Sequence, residues 1–228
     1  MHFVFLLNVG WIFSILLRTL LDKLTKSMAT NSSKHSEPEE AQLDDKKVEI
    51  ERKFAVTSDA GDRILQAGGK CVKESTFEDV YFDTDSYQLT LADHWLRKRD
   101  GCWELKAAVH QDKLNETCTK YAEYESENEI LSRLDAIFDN NTEAESDQAR
   151  DMEEYIKQCN LQPFATFKTT RTCYQMEDDH DVSVVLDSTD FGFNVGEIEI
   201  MASQSKTDDA VDRLEQLSKR LGQLLSVF

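Results

Sequence analysis

The stretch KVEIERKF, residues 47–54, alternates polar and apolar side chains with the two-residue period of a β-strand. One face is apolar, as a core face should be, and comprises Val48, Ile50 and Phe54. Arg52 interrupts that face. The other face carries two carboxylates and one ammonium group, from Glu49, Glu51 and Lys53. Charges at this spacing suit either an exposed sheet surface or the wall of a water-filled, charged cavity.

Seven further segments show the same alternation, and eight strands are the number typical of a barrel or a sandwich. The seven segments are 77–84, 94–99, 102–109, 120–127, 165–176, 181–188 and 196–203. Asp100-Gly101 lies between two of them, and this dipeptide is the strongest short-range signal for a β-hairpin. A hairpin with these two central residues places Arg99 opposite Cys102, Arg97 opposite Glu104, and Trp95 opposite Lys106.

Four helical patterns lie between and after the strands, each with an apolar stripe at helical spacing. They cover residues 58–69, 127–138, 146–160 and 208–225. The first is expected to begin with Ser58 as its N-cap and to end at a glycine. Such stripes predict helices that pack on one side of the sheet, and hence an α+β domain.

The polar faces of the eight segments carry charges of both signs in place of the Ser, Thr and Asn that dilute an ordinary surface. They are either solvent-facing, as one face of an antiparallel sheet usually is, or the lining of a closed barrel. In the second case five cations share the interior: Lys53, Arg97, Arg99, Lys106 and Arg171. That number of cations suits a chain of phosphates, and the accompanying carboxylates suit Mg²⁺ or Mn²⁺. A metal ion with arginine side chains is the recurring apparatus of phosphoryl transfer.

Composition narrows the class of protein. The 228 residues include 44 Asp and Glu against 26 Lys and Arg, a net charge of −18, which argues against a nucleic-acid-binding protein. The five cysteines are odd in number and none has CxxC spacing, so neither a disulfide framework nor a zinc site is expected. We predict a monomer in a reducing compartment, the cytoplasm.

The first 46 residues differ from the rest. Residues 3–17 are apolar almost throughout, and Lys and Arg follow them. Residues 1–27 are therefore either a membrane anchor that leaves the domain facing the cytosol, or an extension ahead of a start at Met28. Residues 28–46 are polar and lack aromatic side chains, which predicts a disordered acidic linker. The folded domain is expected to span 47–228.

Four short motifs occur in a fixed order: ExExK in VEIERK, RxR in HWLRKR, ExK in WELK, and a late ExE in VGEIE. In this order they resemble the CYTH superfamily, the triphosphate tunnel metalloenzymes. The longer matches VEIERKF, DVYFDT, LADHWLRKR, TKYAE and LDSTDFG resemble its animal thiamine triphosphatase branch. The resemblance covers roughly residues 47–222 and implies an eight-stranded antiparallel β-barrel with helices packed outside.

The resemblance also implies roles for particular residues. The phosphates of a thiamine triphosphate substrate would be bound by Lys53, Arg97, Arg99, Lys106 and Arg171. Trp95 would stack on the thiazolium ring of its thiamine group. Metal would be held by Glu49, Glu51, Glu123, Asp187, Glu197 and Glu199. Tyr81 and Lys106 resemble a catalytic pair that activates the attacking water, and a lysine surrounded by arginines is expected to have a lowered pKa.

The implied reaction is Mg²⁺-dependent hydrolysis of thiamine triphosphate to thiamine diphosphate and phosphate. Two alternatives stay open: cleavage of inorganic tripolyphosphate or a nucleoside triphosphate by the same fold, and non-catalytic binding of polyphosphate or phosphorylated ligands. Two departures from the family pattern favour weaker activity. Val185 stands where a further carboxylate is expected, and the domain is expected to be short at its C-terminus, after residues 217–225.

Overall fold

The computed structural model describes residues 47–109, 118–138 and 151–222. The expected leader (1–27) and linker (28–46) lie outside these residues, as do parts of the expected helices 146–160 and 208–225. No helix within the described ranges is long and apolar enough to cross a membrane.

Eight antiparallel strands form one closed ring, in the order β1-β5-β4-β3-β2-β6-β7-β8 and back to β1. The strands are β1 (Lys47–Phe54), β2 (Gly69–Asp83), β3 (His94–Arg99), β4 (Cys102–Ala108), β5 (Thr119–Tyr124), β6 (Gln162–Met176), β7 (Val182–Thr189) and β8 (Asn194–Ser203). This confirms the predicted eight-stranded barrel and excludes the sandwich. Strands β2 and β6 begin earlier than the alternation indicated. The extra residues of β2 pair with the second half of β6, and those of β6 pair with the end of β2.

The β3–β4 hairpin has the register that the Asp100-Gly101 turn predicts. Arg99 faces Cys102, Arg97 faces Glu104, and Trp95 faces Lys106. Asp100 and Gly101 both have positive φ, 46° and 89°, as a type I′ turn requires. The Asp100 side chain also accepts a hydrogen bond of 2.9 Å from the backbone of Glu78, which attaches the turn to β2.

The helices lie outside the barrel. They are α1 (Ala60–Gln66), α2 (Gln88–Leu91), α3 (Glu127–Phe138), α4 (Met152–Gln158) and α5 (Thr207–Gly222), with a 3-10 turn at Gln204–Lys206 before α5. Helix α3 has the predicted bounds, whereas α2 was not predicted because four residues are too few for a helical period. The predicted N-cap Ser58 is wrong, since the N-cap of α1 is Asp59, whose carboxylate binds Thr57 and Arg63.

Two apolar clusters cover the outside of the barrel. The first joins the outer faces of β1 and β8 to α5, and includes Val48, Ile50 and Leu214. The second joins β3, β4 and β5 to α3 and α4, and includes Leu105 and Ile130. Helices cover these parts of the outside because the strand faces there are apolar.

Gly196 of β8 pairs with Phe54 of β1. A Cβ atom on Gly196 would lie 2.2 Å from the Phe54 ring carbons Cε2 and Cζ. Phe54 is 2% exposed and packs in the first cluster, so its ring has little room to move.

We expect Gly196→Ala to lower the free energy of unfolding by about 2 kcal/mol, because the added methyl overpacks the site. Urea unfolding followed by circular dichroism measures this loss. In a Phe54→Leu background the same substitution should cost less, since the shorter side chain leaves space. An equal loss in both backgrounds would contradict the proposed clash.

Candidate active site: a charged tunnel

The charged face of β1 points into the barrel. Glu49 and Glu51 are 7% and 1% exposed. Their neighbours Val48 and Ile50 point the other way and pack in the first apolar cluster, outside the barrel. Because side chains alternate across a strand, the charged faces of the other strands line the same interior. The face that sequence alone could not assign is therefore the lining of a tunnel.

Glu51 is the centre of an ion-pair network. Lys53 donates to it at 2.8 Å, Lys106 donates to its other oxygen, and the Thr119 hydroxyl lies 3.2 Å away. Lys53 also pairs with Glu197 on β8. The network thus joins β1, β4, β5 and β8 through side chains that only the closed ring brings together.

The carboxylates keep both lysines charged. Burial disfavours the ammonium form of Lys53, but Glu197 and Glu51 outweigh burial and raise the lysine pKa well above its usual value. Burial is likewise outweighed at Lys106, where Glu51 and Glu49 raise the pKa. The lowered pKa expected for Lys106 is wrong, because the side chains that pair with Lys106 are the carboxylates Glu49, Glu51 and Glu123.

Two arginines are held by bidentate ion pairs. Arg99 binds both oxygens of Asp79 at 2.8 Å, and Arg171 binds both oxygens of Asp187 at 2.7 and 2.6 Å. The Phe77 ring lies between them, 3.9 Å from the Arg99 guanidinium and 5.6 Å from that of Arg171. This fork geometry is the one that arginine also uses to bind phosphate oxygens.

Arg97 occupies the middle of the tunnel wall. Its guanidinium donates to Glu104 at 2.7 Å and to the Tyr81 hydroxyl at 3.3 Å. Among the described residues no hydrogen bond joins Tyr81 to Lys106, and the hydroxyl of Tyr81 instead accepts from Arg97. The carboxylates Asp79 and Glu104 were not assigned from sequence, although each lies on a charged face two residues from an assigned side chain.

Carboxyl groups outnumber cations along this lining, and Glu199 is the clearest carboxyl group without a basic partner. Within the described residues it has no ion pair with a lysine or arginine, and it accepts a 3.4 Å hydrogen bond from Ser183. Burial and then the nearby Glu197 and Glu49 carboxylates raise the pKa of Glu199 to about 8. Such a carboxylate favours a bound cation.

Glu49 is a second buried carboxylate on this wall, and it shares Lys106 with Glu51. Burial raises the pKa of Glu49, although Lys106 opposes that shift. Its Oε2 atom is buried and lies 2.5 Å from Lys106 Nζ. Glu49 and Glu199 therefore fit a hard divalent cation that takes its other ligands from phosphate and water, as Mg²⁺ commonly does.

The remaining predicted metal ligands have other contacts. Glu51, Glu197 and Asp187 are ion-paired, and Glu123 is 40% exposed and lies 4.0 Å from Lys106. In the part of the chain that is described, no three His, Cys, Asp or Glu side chains are already grouped to hold a metal. Val185 is 3% exposed and pairs with Glu197 and Cys173, so an apolar side chain occupies its place in the lining.

Aromatic side chains gather where β3 begins and β2 ends. Trp95, in the charged face of β3, is half-buried there and pairs with Lys106 across the hairpin. Tyr81 stacks on Phe167, with 5.6 Å between ring centroids, and further ring contacts follow. That run continues through Phe191, Phe193, Phe164 and Tyr87. This end of the tunnel could accept a flat organic group while the charged middle holds phosphates.

This chain is similar to several known proteins. The CYTH domain family matches residues 47–225. The thiamine-triphosphatases of Homo sapiens and Macaca fascicularis are each 32% identical over 183 residues, which is 77% of this chain and 77% of each relative. Solved structures of a Pyrococcus horikoshii protein and a conserved hypothetical Pyrococcus furiosus protein are both 19% identical, with TM-scores of 0.49 and 0.48. Each likeness covers 76% of this chain and 90% of the other.

The Arg99–Asp79 pair should matter for stability because Asp79 is 2% exposed. We expect Arg99→Gln to lower the free energy of unfolding by about 3 kcal/mol, since it leaves a buried carboxylate without its cation. Adding Asp79→Asn should recover most of that loss. Urea unfolding at pH 7 provides the measurement.

Arg213 and Asp179 form a matched pair on the outside of the barrel, with side chains 28% and 31% exposed. Arg213→Gln should cost no more than about 1 kcal/mol, as expected for a surface pair. If both arginine substitutions cost the same, the tunnel pair is not a buried one in solution.

Proposed function

This chain belongs to the CYTH domain family, and on that premise we propose that it hydrolyses thiamine triphosphate to thiamine diphosphate and phosphate with a divalent metal ion. The matched relatives support a triphosphatase of the hydrolase class. The observation that carries the proposal is the convergence of five cations on the inner wall of one closed ring of strands. A chain of phosphates is the small-molecule group that such a wall complements.

The arginines would bind phosphate by exchanging partners. Arg99 and Arg171 each present a fork that is already held rigid by a carboxylate. A phosphate that replaces one carboxylate oxygen meets donors whose positions change little. Preorganised donors of this kind stabilise the charge that develops on the transferred phosphoryl group.

Lys106 would act as a cation rather than as a base. Because Glu51 and Glu49 raise its pKa, the ammonium group retains its proton at neutral pH. It would therefore donate to a phosphate oxygen or orient water. The Tyr81 hydroxyl accepts from Arg97, so its own proton is available to a phosphate oxygen or to the attacking water.

Glu49 and Glu199 would hold the metal ion, with phosphate oxygens completing its coordination. When bound, a divalent cation would neutralise part of the charge on the phosphate chain. It would also reduce the repulsion between that chain and the acidic wall of the tunnel. Mg²⁺ or Mn²⁺ suits oxygen donors of this type. The excess of carboxylates over cations favours joint binding of metal and polyanion over binding of the polyanion alone.

Trp95 would bind the organic end of the substrate. Its ring lies opposite Lys106, on the same face as Arg97 and Arg99. Thiazolium is a cation, and an indole face attracts such a group. Inorganic tripolyphosphate has no such ring, so contacts with Trp95 would favour the thiamine compound over it.

Non-catalytic binding of a polyphosphate is the second candidate, favoured by the apolar Val185 in the lining. A missing carboxylate at this position would weaken metal binding without removing the cations. Turnover distinguishes the two candidates, and a substrate panel distinguishes thiamine triphosphate from tripolyphosphate and nucleoside triphosphates.

We expect the full-length protein to release phosphate from thiamine triphosphate with the highest kcat/KM of that panel. Arg97→Gln should lower kcat/KM about a hundredfold, since it removes a charged donor from the transition state. Lys98→Gln is the matched control, because Lys98 is the next residue on β3 but points outward and pairs with Glu153. It should change kcat/KM by less than about twofold. Tight binding without turnover, measured by calorimetry, would support the binding protein instead.

Metal binding has its own test. In protein treated with chelator, adding Mg²⁺ with tripolyphosphate should raise the unfolding temperature, because a ligand stabilises the state that binds it. Glu199→Gln should lose most of that increase, since it removes a carboxylate available to the metal. Glu78→Gln changes an exposed side chain on the outer face of β2, and this variant should keep the Mg²⁺-dependent increase in unfolding temperature. A full Mg²⁺ response from Glu199→Gln would remove Glu199 from the metal site.

A further inference from the structure

One carboxylate oxygen joins an aromatic side chain of β3 to one of β5. Asp93 Oδ1 accepts a hydrogen bond of 3.3 Å from Trp95 Nε1 and one of 3.0 Å from the Tyr121 hydroxyl. We infer that Asp93 is a positioning residue that fixes the Trp95 indole relative to Lys106 and so sets the preference for substrates with an organic cation. This inference rests on the function proposed above, since Trp95 matters only if such a substrate binds.

The backbone around Asp93 is built to hold this side chain in place. Asp93 has a φ of 59°, a left-handed conformation that aspartate, asparagine and glycine adopt most readily. Its carbonyl accepts a 3.1 Å hydrogen bond from the backbone N–H of Ala108 at the end of β4. The preceding helix α2 is attached through Asp83, which accepts from the backbone of Leu89 and Thr90 at 3.0 and 2.9 Å.

Tyr121 supplies the second anchor. It is 8% exposed, and its ring centroid lies 4.9 Å from Lys106 Nζ. Burial and then the Asp93 carboxylate raise the pKa of the Tyr121 hydroxyl, so this group remains a donor. Asp93 therefore ties the indole on β3 to a phenol on β5, on either side of the β4 strand that carries Lys106.

The consequence is a fixed separation between the aromatic surface and the phosphate-binding cations. A freely rotating indole would stack on a ring at many distances from the phosphates, and ordering it would reduce the net gain. A held indole favours a ring that lies one short linker away from the triphosphate. Asp93 would thus contribute to specificity without touching the substrate.

Two substitutions separate the hydrogen bonds from other roles of Asp93. Asp93→Gly removes the acceptor and still accepts the positive φ, so backbone strain is avoided. Asp93→Asn keeps an oxygen at Oδ1, where both hydrogen bonds are made, and removes the negative charge. We expect Asp93→Gly to lower kcat/KM for thiamine triphosphate about tenfold, mainly through KM, as the loss of two hydrogen bonds suggests.

The same variant should lower kcat/KM for tripolyphosphate by less than about threefold, and Asp93→Asn should stay within about twofold of the wild type on both substrates. Equal losses on both substrates would make Asp93 a purely structural residue. A loss of kcat/KM in Asp93→Asn as large as in Asp93→Gly would assign the effect to the negative charge of Asp93 and overturn its role through the two hydrogen bonds. No loss in either would overturn the inference.

A second measurement does not depend on turnover. The indole ¹H–¹⁵N resonance of Trp95, assigned by its absence in Trp95→Phe, should move upfield and exchange faster with solvent in Asp93→Gly. It should be retained in Asp93→Asn. If the wild type fails to cleave thiamine triphosphate but the resonance behaves as expected, the proposed function fails while the positioning contact stands. An unchanged resonance in Asp93→Gly would overturn the contact itself.

Discussion

The interior of this protein depends on Glu51, a carboxylate that is 1% exposed and paired with two lysines from different strands. A buried carboxylate is tolerated only where cations and hydrogen-bond donors surround it. Lys53 comes from the same strand, but Lys106 comes from β4, and the partner of Lys53 on the far side is Glu197 of β8. The network is complete only when the ring of strands is closed.

Closure in turn requires the outer faces to be apolar. Strands such as β1, β4 and β8 place most of their charges inside and apolar side chains against helices, which reverses the usual placement of charge outside and apolar groups inside. The helices α3, α4 and α5 bury those aliphatic faces, and the hydrophobic effect thereby stabilises a ring whose interior is electrostatically costly. Arg52 shows the limit of this division, since it faces outward and its Nε atom is buried without a hydrogen-bond partner.

Ion pairing within the tunnel bears on the proposed function. Each of the five cations contacts a carboxylate, so a bound triphosphate would have to displace or share those partners. Under the proposed function two effects would follow: the donors are held in position before substrate arrives, and the displaced carboxylates become available to a metal ion. The acidic groups Glu49 and Glu199 would then make the binding of metal and polyanion mutually favourable, because each offsets the charge that repels the other.

Much of this arrangement was accessible from sequence. Alternation along β1, the Asp100-Gly101 turn and the hairpin register were all predictable, because they depend on a period of two residues and on local turn geometry. The five cations were predictable as a set for the same reason. The ordered motifs also led to the family, which the comparisons confirm.

Tertiary structure decided which charges meet. The partners of Lys106 come from β1 and β5, and no local pattern relates those strands to β4. The direction of the Lys106 pKa follows from those partners, which is why the expected lowering was wrong. The contact of Asp93 with both Trp95 and Tyr121 likewise crosses from β3 to β5. Sequence by itself determined the faces of the strands, since these depend on neighbours along the chain, whereas ion-pair partners, pKa values and aromatic positions depend on long-range closure of the barrel.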